Sequence, residues 1–358
     1  MKILVLGLDQ TILDPNSLSY ERALLYKEMV EKYIVLVPSK KLQQVIISDH
    51  MQFFGLAGRN KLIQLFRIFL QSKNILNKEK FDVISIQDVY FLGLLGLILS
   101  YWFSVGLEVQ VHGWEKKSIW RLIFAKIVLK KADAVRVVSH RLKGELVKKY
   151  GVANKKITVV PILAQIKEDK ITKFLKSENG NFIFLTVGRL VNVKDINLQI
   201  KSLAQLKNKN WELWIVGSGP EQAALQELSK QLRVSEKIQF LGQQDRPSLF
   251  KTYQMADCFL LSSLEEGWGL AVVEAAYFGL PIIMTDVGCA GEFIKNNYNG
   301  IVVRVGYLTE LSQAAKEIMS SKELRLKLGE EARQSFKILP DQAATFKLYL
   351  ESWQKAKI

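Results

Sequence analysis

The stretch Ser-Ser-Leu-Glu-Glu-Gly-Trp-Gly-Leu-Ala-Val-Val-Glu-Ala-Ala, residues 262–276, sets two carboxylates, Glu266 and Glu274, around a Gly-Trp-Gly turn that opens an apolar helix. Gly267 and Gly269 let backbone approach a ligand closely. The helix start offers unpaired N–H groups at the positive end of a dipole, which together make a seat for an anion. With Glu266 ahead of the helix and Glu274 about a turn inside it, the acids are poorly placed to share one metal or one proton. They are better placed to accept hydrogen bonds from hydroxyls on either side of a diphosphate. A second set of residues, Thr-Val-Gly-Arg-Leu-Val-Asn-Val-Lys-Asp at 186–195, brings Arg189 and Lys194 to the end of a strand that Gly188 closes sharply. Arg grips a phosphate with two parallel hydrogen bonds, and Lys adds a point charge on a flexible stem. Read singly, each pattern also fits solvated acids at a helix start or an exposed basic loop, in a chain with 50 Lys and Arg.

Other motifs exclude more than they support. Val-Gly-Ser-Gly-Pro-Glu-Gln (216–222) has Gly217 and Gly219 after a strand, but Gln222 replaces the third glycine of a dinucleotide fingerprint. It is weak evidence for NAD and remains a tight turn with N–H groups near a phosphate. Val-Leu-Gly-Leu-Asp-Gln-Thr (5–11) resembles the strand-end motif of haloacid-dehalogenase-type phosphatases. Gly7 stands at its nucleophile position, so no aspartyl-phosphate can form. His50, His112 and His140 form no metal-spaced pair with each other or with a cysteine, and no metal is expected. His112 ends a strand beside a glycine, in Val-Gln-Val-His-Gly-Trp-Glu. Cys258 and Cys289 exclude a disulfide framework and fit a reducing, cytoplasmic compartment.

The elements that must position these residues are legible as short β-branched runs alternating with helical patterns. Residues 2–7, 33–37, 82–87, 107–113 and 133–139 read as strands in the first half. Residues 182–188, 212–217, 238–242, 257–263, 280–286 and 299–305 do so in the second. Near-continuous apolar strands alternating with helices imply an α/β chain of parallel sheets covered on both faces. The Lys-rich segment around 163–180 reads as a linker. The expected organisation is a doubly wound N-terminal domain over 1–165, a second over 166–338, and a helix over 339–358 returning to the first domain. Ligands in such sheets sit at the carboxyl ends of strands, which puts the expected site in the cleft between the domains.

The net charge of +15 is uneven: residues 1–165 hold 25 Lys and Arg against 13 Asp and Glu. Residues 116–131 alternate basic and apolar side chains at helical spacing. Such a helix could rest on an anionic membrane surface or present a solvated face over an ordinary core, with nucleic acid a weaker third reading. Residues 89–107, uncharged throughout, are just long enough to span a bilayer. Their glycines and the strand that follows favour a buried helix and a buried strand. The N-terminus meets Asp9 too early to read as a secretion signal.

Taken together, 187–195, 214–221, 240–245, the run 256–294 and 299–303 stand in the order found in glycosyltransferase family 4, a family of retaining GT-B glycosyltransferases, which the second half resembles; 81–88, 109–113 and 132–139 match more loosely. The resemblance implies a GT-B fold, two Rossmann-like domains facing across a cleft, and a nucleotide-diphosphate-sugar donor used with retention and without a metal. By that resemblance Arg189 and Lys194 hold the donor diphosphate, Glu266 touches sugar hydroxyls and Glu274 holds the ribose. Gly188, Gly217, Gly219 and the backbone of Gly267, Trp268, Gly269 and Leu270 line the same donor site. His112 and Glu266 lie nearest the reacting centre. The acceptor expected from the basic first half and the 116–131 segment, not from the resemblance, is a lipid or lipid-linked saccharide of a cell-surface polysaccharide or glycolipid pathway, reached from the cytoplasmic membrane face. Two departures stand out. The glycine-rich loop common after the first strand is absent, and Trp268 replaces the more usual Phe. A sugar-nucleotide epimerase of the same architecture would need the donor site without an acceptor, and a non-catalytic nucleic-acid binder would explain the charge alone.

Overall fold

The computed structural model describes residues 1–113, 119–164, 166, 180–206 and 210–358. The chain divides into two units, Met1–Pro161 with Asp341–Ile358, and Ile162–Pro340. In each, strands too apolar to face water are covered on both sides by helices.

The first unit has strands β1 (Lys2–Leu6), β2 (Lys32–Ser39), β3 (Gln43–Ser48), β4 (Met51–Ala57), β5 (Val83–Ile86), β6 (Gly106–Val111), β7 (Ala134–Val137) and β8 (Ile157–Val159). Its helices are α1 (Leu18–Leu24), α2 (Lys61–Lys78), α3 (Phe91–Phe103), α4 (Ile119–Lys131), α5 (His140–Tyr150) and, from the end of the chain, α12 (Gln342–Ala356). The sheet order is β3-β4-β2-β1-β5-β6-β7-β8, parallel except for the antiparallel β3–β4 pair. That pair is an addition to the strands expected from sequence. On β3 no residue is fully buried, so its apolar signal is thin, and pairing with β4 makes it a strand. His50 sits in the turn between them, where its carbonyl accepts the Tyr33 N–H at 2.7 Å.

The second unit has β9 (Phe182–Val187), β10 (Trp211–Val216), β11 (Ile238–Gly242), β12 (Cys258–Leu261), β13 (Ile282–Thr285) and β14 (Ile301–Val303). They form a parallel sheet in the order β11-β10-β9-β12-β13-β14. Its helices are α6 (Ile196–Ala204), α7 (Gln222–Gln231), α8 (Arg246–Met255), α9 (Leu270–Tyr277), α10 (Leu308–Ser320) and α11 (Lys322–Phe336).

The uncharged stretch 89–107 becomes α3 and the start of β6, and no described helix is long and apolar enough to cross a membrane. The strand is buried as expected; the helix is so on one side only. Leu92, Gly93, Gly96, Leu99 and Ser100 are buried, whereas Tyr101 is 84% and Trp102 60% exposed. The basic helix expected over 116–131 is described from Ile119; residues 114–118 lie outside the described residues. Its apolar side chains do not all turn inward, since Ile119 and Trp120 are mostly exposed.

A buried ionic cluster ties α12 to the first sheet. Glu108 on β6 has no exposed surface. Its carboxylate accepts from Ser352 Oγ at 2.5 Å, Trp353 Nε1 at 3.1 Å and Ser85 Oγ at 2.5 Å. Arg136 Nε lies 3.2 Å away and its guanidinium also stacks over the Tyr349 ring at 4.1 Å. Removing one partner of such a pair strands the other charge in a dry interior. Arg136→Met is therefore expected to destabilise the protein by roughly 3–5 kcal/mol in urea unfolding; a loss under about 1 kcal/mol would show that the cluster does not hold α12 in place.

Candidate functional site

In the second sheet the chain enters at β9, moves outward to β10 and β11, then returns to the other side of β9 with β12. The order of strands reverses between β9 and β12, and the loops leaving their carboxyl ends gather at that edge. Gly188 N–H donates to the Val216 carbonyl at 3.0 Å and Leu190 N–H to the Ser218 carbonyl at 2.9 Å, binding the loop after β9 to the loop after β10. On the other side the Ser262 hydroxyl reaches the carbonyls of Lys194 and Asp195 at 2.9 and 2.8 Å. Leu264 N–H donates to the Val193 carbonyl at 2.8 Å. The loop carrying Lys194 is thus stitched to the one carrying Glu266.

Those seams bring Lys194 and Glu266 into a direct ion pair, and Ser263 Oγ donates to the same Glu266 oxygen at 2.9 Å. Arg189 is exposed. Gly217 and Gly219 prove to be packing glycines: a Cβ on Gly217 would stand 1.9 Å from the Gly188 carbonyl oxygen, and one on Gly219 2.2 Å from that of Leu190. Two of the expected residues thus serve by letting the loop with Arg189 lie flat against its neighbour.

Gly269, with φ of 100°, caps α9 in a conformation that disfavours other residues. The N–H groups of Leu270 and Ala271 in the first turn have no helical carbonyl to bond and point toward the helix entrance. Trp268 is buried, ring to ring with Phe293 at 6.4 Å. Its Nε1 has no hydrogen-bond partner among the described residues. A Phe at this position would bring no such N–H, which gives the departure at Trp268 a physical consequence. Glu274 is buried on α9 and accepts from the Tyr253 hydroxyl at 3.0 Å. Burial raises the pKa of its carboxyl, while the Tyr253 hydrogen bond and the charge of Arg246 pull it back. Tyr253, Ser262 and Ser263 were absent from the sequence-based site. Nothing in the spacing marks Tyr253 and Ser262, because these partners lie 21 to 68 residues away; Ser263 bonds to Glu266 three residues on, a local signal that the spacing of the two acids overshadows. Among the described residues no group of three His, Cys, Asp or Glu is placed to hold a metal ion. A depression of about 430 Å³ between β14 and α10 contains none of the expected residues.

His112 follows β6 in the first unit, exposed at the carboxyl edge of that sheet. The crowding of protein around the ring, and after it the cations Arg136 and Arg22, lower its pKa to about 4. The imidazole is neutral at physiological pH.

Two outcomes follow for the second unit. Gly217→Ala should cost about 1–3 kcal/mol in thermal unfolding, because φ of 132° and the Gly188 carbonyl both oppose a side chain. The raised pKa of Glu274 means that the folded protein binds its proton more tightly than the unfolded chain. Stability contributed by that proton is complete below the ordinary carboxylate value and is lost as pH rises through the folded value. Glu274→Gln should flatten this decline and raise the melting temperature at neutral pH; a lower melting temperature at every pH would overturn the assignment of burial as the dominant cause.

The geometry can be set beside known proteins. The family model for glycosyl transferases group 1 matches residues 167–335, and that for glycosyltransferase family 4 matches residues 34–162. The N-acetyl-alpha-D-glucosaminyl L-malate synthase of Bacillus anthracis is 30% identical over 240 residues, which cover 64% of this chain and 61% of that protein. Among solved structures, sucrose-phosphate synthase from Thermosynechococcus elongatus superposes with a TM-score of 0.82 over 99% of both chains at 19% identity. Anabaena HepE in complex with UDP-glucose gives 0.74 over 98% of this chain and 99% of its own at 17%. These structural likenesses establish the fold. With one family model on each half and a parallel, doubly wound sheet in each unit, the chain belongs to the GT-B glycosyltransferases of family 4 type.

Proposed function

We propose that the chain transfers a sugar from a nucleotide-diphosphate-sugar donor, with retention of anomeric configuration and without a metal, to a lipid or lipid-linked saccharide at a membrane surface. The observation that carries the donor half is the convergence of Lys194, Glu266 and the first turn of α9 on one edge of the second sheet. In this reading Arg189, Lys194 and the backbone from Gly267 to Leu270 hold the diphosphate. Glu266 accepts from sugar hydroxyls, and Glu274, oriented by Tyr253, accepts from the ribose. HepE, whose structure holds UDP-glucose, supports a donor of this class. As the bond between the anomeric carbon and the diphosphate oxygen breaks, negative charge grows on the leaving group, where the two cations and the N–H groups are preorganised to meet it. The acceptor hydroxyl attacks from the same face and gives its proton to the departing phosphate oxygen. His112, neutral, contacts the sugar near the reacting carbon.

The membrane half rests on three neighbouring helices of the first unit. α2, α3 and α4 contain no acidic residue, while α2 and α4 each carry four Lys or Arg. They also expose large apolar side chains, among them Leu62, Phe66, Tyr101, Trp102 and Trp120, each at least 60% exposed. Phe69 of α2 meets Trp102 of α3 at 5.8 Å and Phe91 of α3 meets Phe124 of α4 at 6.1 Å, so the exposed groups lie on one joined surface. An apolar face with cations and no anions suits an anionic bilayer, where each basic residue adds about 1 kcal/mol. The enzyme would then work peripherally on the cytoplasmic face.

Thermal unfolding against a panel of nucleotide diphosphates and nucleotide sugars, in EDTA, tests the donor site. The right ligand at 100 times its dissociation constant should stabilise by about 2.7 kcal/mol. Glu274→Ala and Arg189→Ala should each weaken that ligand by about 1.5–3 kcal/mol, and normal binding in both would sink the site. Product analysis with donor alone separates transfer from epimerisation, since only an epimerase converts the donor's sugar without an acceptor. For the membrane, sedimentation with phosphatidylcholine vesicles containing phosphatidylglycerol should capture the protein at low salt, less so at high salt or in Trp102→Ser and Trp120→Ser. Protein left in the supernatant at low salt would overturn docking and turn the acceptor search to soluble hydroxyl compounds.

A further inference from the structure

The buried cluster at Glu108 continues to the edge of the sheet. Glu108, Gln110 and His112 alternate along one face of the β6 segment, with Ser85 of β5 between the first two. Arg136 and the indole of Trp353 have only protons to offer Glu108. The carboxylate therefore accepts throughout, and Ser85 commits its single proton to it at 2.5 Å. The Ser85 oxygen is left to accept, and it does so from Gln110 Nε2 at 2.8 Å. With its amide nitrogen so placed, Gln110 turns its oxygen to His112 Nε2 at 3.3 Å. A carbonyl oxygen facing a ring nitrogen makes a bond only if that nitrogen carries the proton. Reversing the amide would set its oxygen against a hydroxyl with no proton left to give. Each polarity thus follows from the one before, and the series starts at a fixed charge.

We propose that Gln110 is a positioning residue that holds His112 as the Nε2–H tautomer, leaving the Nδ1 lone pair to accept a hydrogen bond from a substrate hydroxyl. Ser85 and Glu108 set the amide that does this. Gln110 and Ser85 are buried, 7% and 0% exposed, so no water competes freely for the amide. Among the described residues no hydrogen bond engages Nδ1. The low pKa of the ring agrees with a neutral imidazole. The catalytic consequence rests on the reading of His112 as a sugar contact; the tautomer does not.

The test is long-range proton–nitrogen NMR of the imidazoles in the full-length, ¹⁵N-labelled protein. The chain has three histidines, and His50→Asn and His140→Asn assign the signals. At neutral pH His112 should show the Nε2–H pattern. Gln110→Leu should release it to a mixture of tautomers, Ser85→Ala should admit the Nδ1–H form by freeing the amide to turn, and Gln110→Glu should keep the proton on Nε2. An Nδ1–H pattern in the unaltered protein, or an unchanged Nε2–H pattern in both Gln110→Leu and Ser85→Ala, would overturn the proposal. Thermal stabilisation by the donor, read in each variant, reports whether the second unit's site is intact. In the kinetic arm Gln110→Leu should lower kcat roughly tenfold, the equivalent of one lost hydrogen bond, with donor KM nearly unchanged. Released tautomers with an unchanged kcat would uphold the positioning and overturn the role of His112 at the sugar. Loss of donor stabilisation in the unaltered protein would instead sink the donor site alone.

Discussion

Glu108 cannot be left unpaired. A carboxylate with no exposed surface loses its hydration, a penalty of several kcal/mol even after relaxation, unless donors replace the water. Its donors come from β5, β7 and α12, from positions 85, 136, 352 and 353. Strands far apart in sequence and a helix from the other end of the chain must therefore be in place together for the first unit to be stable. The aromatic side chains of α12 complete the arrangement: Trp353 donates its indole N–H while its ring, with Tyr349, covers the guanidinium of Arg136. The same demand runs outward along β6 through Ser85 and Gln110 to His112. A group at the sheet edge thus inherits its orientation from a charge in the core.

The second unit carries its polar load differently. Its strands are buried on both faces, so polar side chains collect at the carboxyl ends, where loops can satisfy them. Ser262 and Thr285 bond to backbone carbonyls across loops, and Lys194 meets Glu266. Among the groups held at a cost are the buried carboxyl of Glu274 and the indole N–H of Trp268. Both lie in or beside the first turns of α9, whose opening N–H groups have no carbonyl within the helix to bond. Under the proposed reading, stability given up in this region is the cost of a preorganised donor site.

On the first unit, the helices α2, α3 and α4 give the outer surface its unusual character. A helix that faces water ordinarily turns its large apolar groups inward. Here α3 buries Leu92 and Leu99 yet leaves Tyr101 and Trp102 outside, and its neighbours expose further aromatic and aliphatic groups among cations. The hydrophobic run is longer than its own packing needs. The excess faces outward.

Much of the architecture was legible because its signals are local. Alternation of β-branched runs with helical periods specifies parallel, doubly wound sheets, and the spacing of Gly188, Arg189 and Lys194, or of Glu266 and Glu274, survives in any register of the fold. The half-exposed strand β3 was not legible, since its apolar residues gain their burial from β4. Nor were Tyr253, Ser262, Ser85 and Gln110, whose roles depend on partners distant in sequence that the fold brings in. Gly217 and Gly219 show the division most plainly. The sequence alone determined that a tight, glycine-bearing turn follows β10, because backbone freedom belongs to the residue itself. Only the tertiary structure decided that this freedom is spent on letting the Gly188–Leu190 backbone pass at contact distance, because close approach is a property of two segments that meet only when the sheet forms.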